Sequence, residues 1–257
     1  MSGVHWRHFP GDPDRPALAL HPMMGSGAIW GPIADRLQGR VDLRAFDMPG
    51  HGRSGPWQAE PGVDFHTTVT RIAGAAIDRP VDLIGHSFGA TVALRIAARA
   101  PEAVRTLTLI EPVLFAAAKD HGPGIPPEAA HAAADGDIET AARGFLGLWG
   151  GPGGFEALAP LIRAAAVRQM PLVIDADPAL SHDVHDILRE SALESIDAPV
   201  LFISGADSPP VIHAIAKALS ARLPDVGRAT IPDAGHMAPL THPVEVAGLI
   251  AVNLDRA

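Results

Sequence analysis

The sequence predicts an α/β protein built on a mostly parallel, doubly wound sheet. Short apolar runs of strand type alternate with longer segments of helical periodicity along residues 1–112, and the alternation resumes after residue 196. Between these two parts, residues 113–196 show helical patterns and no convincing strand. Because parallel strands are joined by helices that cover both faces of a sheet, their carboxyl ends meet at one edge, and we expect the reactive groups there.

Composition limits the class of protein before any motif is considered. At 257 residues, of which 47% are hydrophobic, the chain is long enough for one large domain or one domain with an insertion. It has no cysteine, which excludes disulfides, a thiol nucleophile and cysteine-ligated zinc. A net charge of −9 with no basic run argues against nucleic acid as a partner. No apolar stretch approaches the roughly 20 residues of a membrane span, and residues 1–7 lack the apolar core of a signal peptide. We therefore expect a cytoplasmic protein with no membrane partner.

The elements of the first part follow one another closely. Strands are predicted at Val4–Phe9, Pro16–Leu20, Val41–Phe46, Val81–Ile84 and Thr106–Ile110. Helical patterns cover about residues 28–37, 66–77 and 88–98. The last of these helices stops before Pro101, since proline cannot continue a helix.

Residues 113–196 are predicted to be a helical insertion between the strand that ends at Ile110 and the strand that starts at Val200. The glycine- and proline-rich stretch at residues 150–154 forms a flexible joint inside it. Since the insertion leaves the sheet just beyond the carboxyl end of a strand, we interpret it as a cap or lid, with residues 1–112 and 197–257 as the core. The alternative is a structural bundle unrelated to the site.

The segment Gly85-His86-Ser87-Phe88-Gly89 stands between an apolar run of strand type and a helical pattern. A Gly-x-Ser-x-Gly sequence in this context is typical of a nucleophile elbow, whereas a chance match in a loop is the alternative. The glycines leave room for a tight turn, and the following helix N-terminus favours negative charge that develops beside the serine. The sequence therefore predicts Ser87 as a nucleophile.

Four segments together resemble the α/β-hydrolase family, in its lid-bearing branch of esterases and lipases. They are the elbow at Ser87, the loop His21–Gly27, the segment Asp47–Ser54 and the segment Ala234–Pro239. The resemblance covers essentially the whole chain, and the predicted insertion falls where the family has its cap. It implies a mostly parallel sheet of the eight-stranded type and a catalytic triad of serine, histidine and an acid.

His236 is the predicted base of that triad, because a serine hydroxyl is a poor nucleophile at neutral pH unless an imidazole takes its proton. It lies in the Gly-His loop where the family has its base, and it comes last in chain order. Structural roles are assigned to the other motif histidines, His21, His51 and His86. His182 and His185 have the spacing of a metal pair, but a charged surface helix is the favoured interpretation and we expect no metal.

The resemblance also implies an oxyanion hole made of two backbone N–H groups. One belongs to Phe88, and the family's His-Gly-x register puts the other at Met23. Pro22 replaces the usual glycine and has no N–H, but the donor is the next residue, and Met24 or Gly25 takes its place if the register slips. Side chains that could form an apolar acyl pocket are Met23, Met24, Phe88, Trp149 and Met170, with ordinary core packing as the alternative.

The acid has two candidates, Glu111 and Asp207. The family usually has an aspartate three residues after the glycine that ends the later strand, but Ser208 occupies that position here, one residue beyond Asp207. Glu111 follows the preceding strand, where some relatives, certain haloalkane dehalogenases among them, have their acid. A buried glutamate needs a partner, which the His236 Nδ1–H supplies, so Glu111 is favoured.

The resemblance implies a serine hydrolase that cleaves a small-to-medium ester, lactone or thioester through an acyl-enzyme, with a small molecule as its partner and no cofactor. Relatives also hydrolyse carbon–carbon bonds or run cofactor-free haloperoxidation, and the sequence does not separate these activities. Dehalogenase and epoxide-hydrolase chemistry is disfavoured, because those relatives use an aspartate where this chain has Ser87. The rival from another class is a non-catalytic small-molecule receptor of the same fold.

Overall fold

A seven-stranded sheet forms the centre of the computed structural model, which describes residues 3–257; Met1 and Ser2, the start of the expected core, lie outside the described residues. The strands are β1 (Trp6–Phe9), β2 (Pro16–Leu20), β3 (Asp42–Phe46), β4 (Val81–His86), β5 (Val104–Ile110), β6 (Val200–Gly205) and β7 (Val226–Ile231). They lie in the order β1-β3-β2-β4-β5-β6-β7, with β1 antiparallel to β3 and all other neighbours parallel. The predicted class, a mostly parallel α/β sheet, is confirmed.

The resemblance implies a sheet of the eight-stranded type, and the described part of this chain has seven strands. β1 is the outer strand on one side, where it pairs with β3 from Trp6 opposite Phe46 to Phe9 opposite Leu43, and β7 is the outer strand on the other side. The segment before β2 contributes a single strand, and the rest of residues 3–257 outside the seven strands forms helices, turns or loops apart from one isolated bridge. Within residues 3–257, no further segment extends either edge.

Helices cover both faces of the sheet. On one face lie α1 (Gly31–Leu37) and α9 (Pro243–Leu254), with the short α8 (Ala238–Thr241) before α9, and on the other lie α2 (Phe65–Gly74), α3 (Phe88–Arg99) and α7 (Pro210–Ser220). In β2, Leu18 and Leu20 pack on the α3 side, whereas Ala17 and Ala19 pack on the α1 side. Burial on both faces explains why the strands are continuous apolar runs. Nowhere in residues 3–257 is a helix both long and apolar enough to cross a bilayer.

The chain between β5 and β6 is helical. It runs through a 3₁₀ segment at Phe115–His121, α4 (Pro127–Ala134), α5 (Ile138–Trp149), a second 3₁₀ segment at Gly154–Ala157 and α6 (Pro160–Ser181). These helices share an apolar cluster of their own that includes Leu146, Phe155 and Val173. The division of the chain into a core and a cap at residues 113–196 stays a prediction.

Candidate active site

Ser87 lies in a tight turn between β4 and α3, with backbone angles φ 55° and ψ −118°. A residue other than glycine seldom adopts a positive φ, so the turn holds Ser87 in a strained conformation. The flanking glycines make this turn possible. A Cβ on Gly85 would lie 2.5 Å from the Cα of Ala90, and one on Gly89 would lie 2.3 Å from the carbonyl oxygen of Leu20. The local sequence thus explains why the serine stands at the carboxyl end of a central strand.

Ser87, His236 and Glu111 form one hydrogen-bonded chain. His236 Nε2 lies 2.9 Å from Ser87 Oγ, and His236 Nδ1 lies 2.5 Å from Glu111 Oε2. The three residues follow β4, β7 and β5, so the parallel sheet brings together groups that are far apart in sequence. All three are buried, Glu111 completely. This arrangement suits proton transfer from the serine hydroxyl to the imidazole.

The carboxylate of Glu111 is stabilised as an anion despite its burial. Burial by itself raises the pKa of Glu111, but the hydrogen bond and charge of His236, together with two further donors, hold that pKa below its ordinary value. The further donors are the Ser208 hydroxyl at 2.5 Å and the Gly205 N–H at 2.6 Å, both to Oε1. Glu111 also has a φ of 49°, which makes it a second strained residue of the site.

The structure does not bring Asp207 to His236. The Asp207 side chain is exposed, its backbone N–H donates to the carbonyl oxygen of Ala234 at 2.9 Å, and its carboxylate has no hydrogen bond to the imidazole within the described residues. The next residue, Ser208, is buried and bonds to Glu111 instead. Because neighbouring residues of this loop point in different directions, the geometry favours Glu111 of the two candidate acids.

The N–H groups of Met23 and Phe88 donate to no protein acceptor in residues 3–257, which leaves them available to an oxyanion. The two alternatives to Met23 are already engaged. Met24 N–H donates to His51 Nε2 at 3.1 Å, and Gly25 N–H donates to the carbonyl oxygen of Pro22 at 3.1 Å. The geometry therefore favours the register in which the residue directly after Pro22 is the donor.

Two buried histidines hold this loop in place. His21 Nδ1 donates to the carbonyl oxygen of Pro22 at 2.7 Å, and its Nε2 accepts from Met48 N–H at 2.9 Å. His51 donates through Nδ1 to a backbone carbonyl and accepts from Met24 through Nε2. An imidazole that accepts must be neutral, and burial lowers the pKa of His21 to about 3 and that of His51 to about 4. These hydrogen bonds and the neutral state of both rings support the structural role assigned to His21 and His51.

A cavity of about 700 Å³ opens at Ser87 and His236. The loop after β2, the helices α5 and α6 and the residues after His236 form its walls. Most of the lining is apolar and includes Met23, Met24, Phe88, Leu146, Trp149 and Leu240. Gln169 is a polar exception, and its side-chain amide donates to the carbonyl oxygen of Gly50 at 2.9 Å. The site can accommodate an apolar group beside the serine hydroxyl.

The predicted pocket residues differ in their placement. Trp149 lines the cavity, with its ring 4.8 Å from the His236 ring and its Nε1 donating to the carbonyl oxygen of Gly124 at 2.8 Å. Met24 lines it as well. Met170 does not, so the prediction that it forms a pocket wall is wrong. Its side chain packs in the apolar cluster between α5 and α6, while the preceding Gln169 faces the cavity.

The charged stretch at residues 182–186 is not part of a helix, contrary to the prediction, because α6 ends at Ser181. His185 Nε2 lies 2.7 Å from Asp64 Oδ2, at the N-terminus of α2. His182 is the residue that follows the last turn of α6. The two histidines therefore do not lie at i, i+3 spacing on one helix.

Sequence reasoning assigned no role to Ser208 or Gln169. For Ser208 a signal existed, namely its position three residues after Gly205, where the chain leaves β6 beside the site. For Gln169 there was none, because its contact with Gly50 joins residues 119 positions apart. Such a contact is decided by how α6 packs on the core.

Comparison with known proteins shows the family. A model of the alpha/beta hydrolase family matches residues 17–249. The chain is 32% identical over 242 residues to the pimeloyl-acyl-carrier-protein methyl ester esterase of Methylococcus capsulatus, across 91% of this chain and 92% of the relative. The enzyme of the same name from Yersinia pseudotuberculosis is 29% identical over 260 residues, across 97% and 96%. The structure of carboxylesterase CesB from Bacillus subtilis matches with a TM-score of 0.74 and 21% identity, across 99% of this chain and 89% of the other. The chain belongs to the alpha/beta hydrolase family.

Proposed function

We propose that this protein is a serine hydrolase that cleaves a small-to-medium carboxylic ester through an acyl-enzyme. The observation that carries the proposal is the hydrogen-bonded chain from Glu111 through His236 to Ser87, which ends at an apolar cavity. The curated relatives, which are named as esterases, support it. A lactone or a thioester presents the same kind of acyl carbon and falls within the proposal.

In the proposed mechanism Ser87 Oγ attacks the ester carbonyl while His236 Nε2 takes the hydroxyl proton. Glu111 accepts from Nδ1–H, which keeps the imidazole in the required tautomer and stabilises its charged form. The N–H groups of Met23 and Phe88 hold the oxyanion of the tetrahedral intermediate. His236 then gives its proton to the leaving alcohol, and a water that it activates releases the acid from Ser87.

We also propose that residues 113–196 act as a lid over this site. Helices α5 and α6 supply cavity walls, and Trp149 at the end of α5 packs against His236. The joint after Trp149 contains three glycines with positive φ, Gly151, Gly153 and Gly154, a conformation that other residues seldom adopt. Triad and oxyanion groups all come from the core, so the lid controls access and acyl-chain fit rather than reactivity.

The net charge of residues 113–196 disfavours anionic ligands, while the two charged residues of α6 that line the cavity, Arg168 and Asp177, are of opposite sign. Residues 113–196 contain twelve Asp and Glu against five Lys and Arg. Two of the five, Arg143 and Arg163, pair with Glu156. A negatively charged protein surface lowers the local concentration of anionic ligands. We therefore propose neutral aliphatic esters, with an acyl chain that the apolar lining can bury, in preference to esters with an anionic tail.

The decisive experiment labels the protein with a fluorophosphonate and measures turnover of p-nitrophenyl acetate, butyrate and octanoate. We expect one phosphonyl group on Ser87, located by peptide mass spectrometry, and turnover of at least one ester. p-Nitrophenyl butyrate should be cleaved faster than the monoester of succinate with p-nitrophenol. The two acyl chains are of about the same length, but the succinyl chain ends in a negatively charged carboxylate.

The rival interpretation, a receptor without catalysis, makes a different prediction for the same experiment. A receptor binds an ester in the cavity, as seen by calorimetry, but neither takes up the fluorophosphonate at Ser87 nor releases p-nitrophenol. That outcome with a folded protein would contradict the proposed function.

A further inference from the structure

We infer that Ser208 is a positioning residue for Glu111: its hydroxyl holds the buried carboxylate so that one oxygen, Oε2, is presented to His236. The inference rests on the proposed function, because it concerns the acid of the same triad. It assigns a role in the reaction to a side chain that touches neither the substrate cavity nor the reacting atoms.

The two oxygens of Glu111 have separate partners. Oε1 accepts from the Ser208 hydroxyl at 2.5 Å and from the Gly205 N–H at 2.6 Å, whereas Oε2 faces His236 Nδ1 at 2.5 Å. Two donors on one oxygen fix the rotation of the carboxylate and leave the second oxygen for the imidazole. Without the Ser208 hydroxyl, Oε1 would keep only the Gly205 N–H as a donor, and the rotation of the carboxylate would be less restricted.

The loop that carries Ser208 is fastened to the segment that carries His236. Ala206 N–H donates to the carbonyl oxygen of Ile231, and Asp207 N–H donates to that of Ala234, each at 2.9 Å. The approach is close enough that a Cβ on residue 205 would lie 2.2 Å from the same Ala234 oxygen. Backbone hydrogen bonds therefore fix the loop that carries Ser208 relative to the segment that carries the imidazole, and a positioning contact requires such a fixed arrangement.

Loss of the Ser208 donor should change the pH dependence in a known direction. The Ser208 hydroxyl is one of the donors that lower the pKa of Glu111, so a carboxylate with one donor fewer takes up its proton at a higher pH. His86 from β4, whose ring lies 5.2 Å from that of His236, is kept neutral by burial with a pKa of about 3. The exposed Asp207 and Asp233 lie on the two loops that carry Ser208 and His236, and Arg168 and Asp177 of α6 line the cavity that His236 faces.

The test compares Ser208→Ala with Ser208→Thr, which keeps the hydroxyl, and with the control Ser204→Ala. Ser204 is a buried serine of β6 with no hydrogen bond to Glu111 among the described contacts. For Ser208→Ala we expect kcat to fall about three- to tenfold with KM unchanged, and the acid limb of the kcat/KM profile to move up by about half a pH unit or more. Ser208→Thr and Ser204→Ala should stay within about twofold of the wild type, the usual range for changes that remove no such contact.

A double-mutant cycle separates positioning from general packing. If Ser208 acts through the carboxylate, Ser208→Ala should cost at most about twofold in a protein that already carries Glu111→Gln, since the charge it serves is gone. Equal costs in both backgrounds, or a folded Ser208→Ala protein whose pH profile overlays that of the wild type, would overturn the inference. If Ser208→Ala does not fold, Ser208→Cys, which has a similar shape but a weak donor, is judged by the same criteria.

One readout does not depend on turnover. The proton on His236 Nδ1, observed by NMR, should shift in Ser208→Ala and stay in place in Ser204→Ala. A protein that shows this shift but neither labels at Ser87 nor cleaves esters contradicts the proposed function and not the role of Ser208. A protein that labels and cleaves esters, with no shift and an unchanged pH profile, contradicts the role of Ser208 alone.

Discussion

Replacing Glu111 with glutamine keeps the size of the side chain but removes its negative charge and one acceptor. In the wild type, Oε1 receives two donors, the Ser208 hydroxyl and the Gly205 N–H. A glutamine in the same place will direct its carbonyl oxygen to these donors, because its NH₂ group cannot accept from them. Its NH₂ group then faces His236 Nδ1 and requires that atom to accept. The imidazole proton is thereby forced onto Nε2, which can no longer take the proton of Ser87.

The size of the loss follows from the same geometry. The charges of a carboxylate and an imidazolium about 4 Å apart attract by about 4 kcal/mol at an effective dielectric constant of 20. Since each 1.36 kcal/mol of barrier changes a rate tenfold, loss of this attraction alone lowers kcat by about 10³-fold. The wrong tautomer adds to that, and acid-to-amide changes in other serine triads cost about 10⁴-fold. We therefore expect a fall in kcat between about 10³- and 10⁴-fold.

The assay is turnover of p-nitrophenyl butyrate, with the melting temperature measured on the same samples to show that the variant is folded. The matched control is Asp207→Asn, which removes the charge of the other candidate acid. Its carboxylate is exposed and has no hydrogen bond to His236 within the described residues, so activity should stay within about twofold. A folded Glu111→Gln protein with turnover within tenfold of the wild type would refute the assignment, and a large loss at Asp207→Asn would move the acid there.

Three further predictions concern the nucleophile, the lid and the buried histidines. Ser87→Ala should abolish ester turnover and fluorophosphonate labelling with an unchanged melting temperature, and burst release of p-nitrophenol by this variant would contradict the role of Ser87. Trp149→Ala should reduce the preference for butyrate over acetate esters by up to about 15-fold, because two methylenes buried against its ring contribute roughly 0.8 kcal/mol each. An equal loss on both esters in a folded variant would count against a lid. Acid should destabilise the fold, since burial lowers the pKa of His21, His66 and His86 to about 3 and that of His51 to about 4, below the ordinary value of 6.5. The stability that these neutral imidazoles contribute is complete above about pH 6.5 and is lost toward pH 3 to 4, at up to about 1.4 kcal/mol per pH unit for each histidine. Urea midpoints at pH 7 and pH 5 measure this loss, and equal midpoints would show that these imidazoles are not held neutral.

The sequence by itself determined the class of the fold and the position of the elbow. Apolar runs that alternate with helical periodicity indicate a parallel sheet, because both signals depend on local patterns of burial. Ser87 was identified for a similar reason. Its turn is so tight that Gly85 and Gly89 are required by contacts with nearby backbone, and this requirement is visible in the sequence as glycines at fixed spacing.

The tertiary structure alone decided the surroundings of that serine. Glu111 and Asp207 are both acids that follow strands, and only the packing of the 205–208 loop shows that one is buried against His236 while the other is exposed. Met170 and Trp149 looked equivalent as apolar residues of the insertion, but the rotation of a helix about its axis decides which side chain reaches a cavity. The number of strands likewise depends on which segments find a partner at the sheet edge. Long-range contacts of this kind join residues about a hundred positions apart, and no local pattern in the sequence records them.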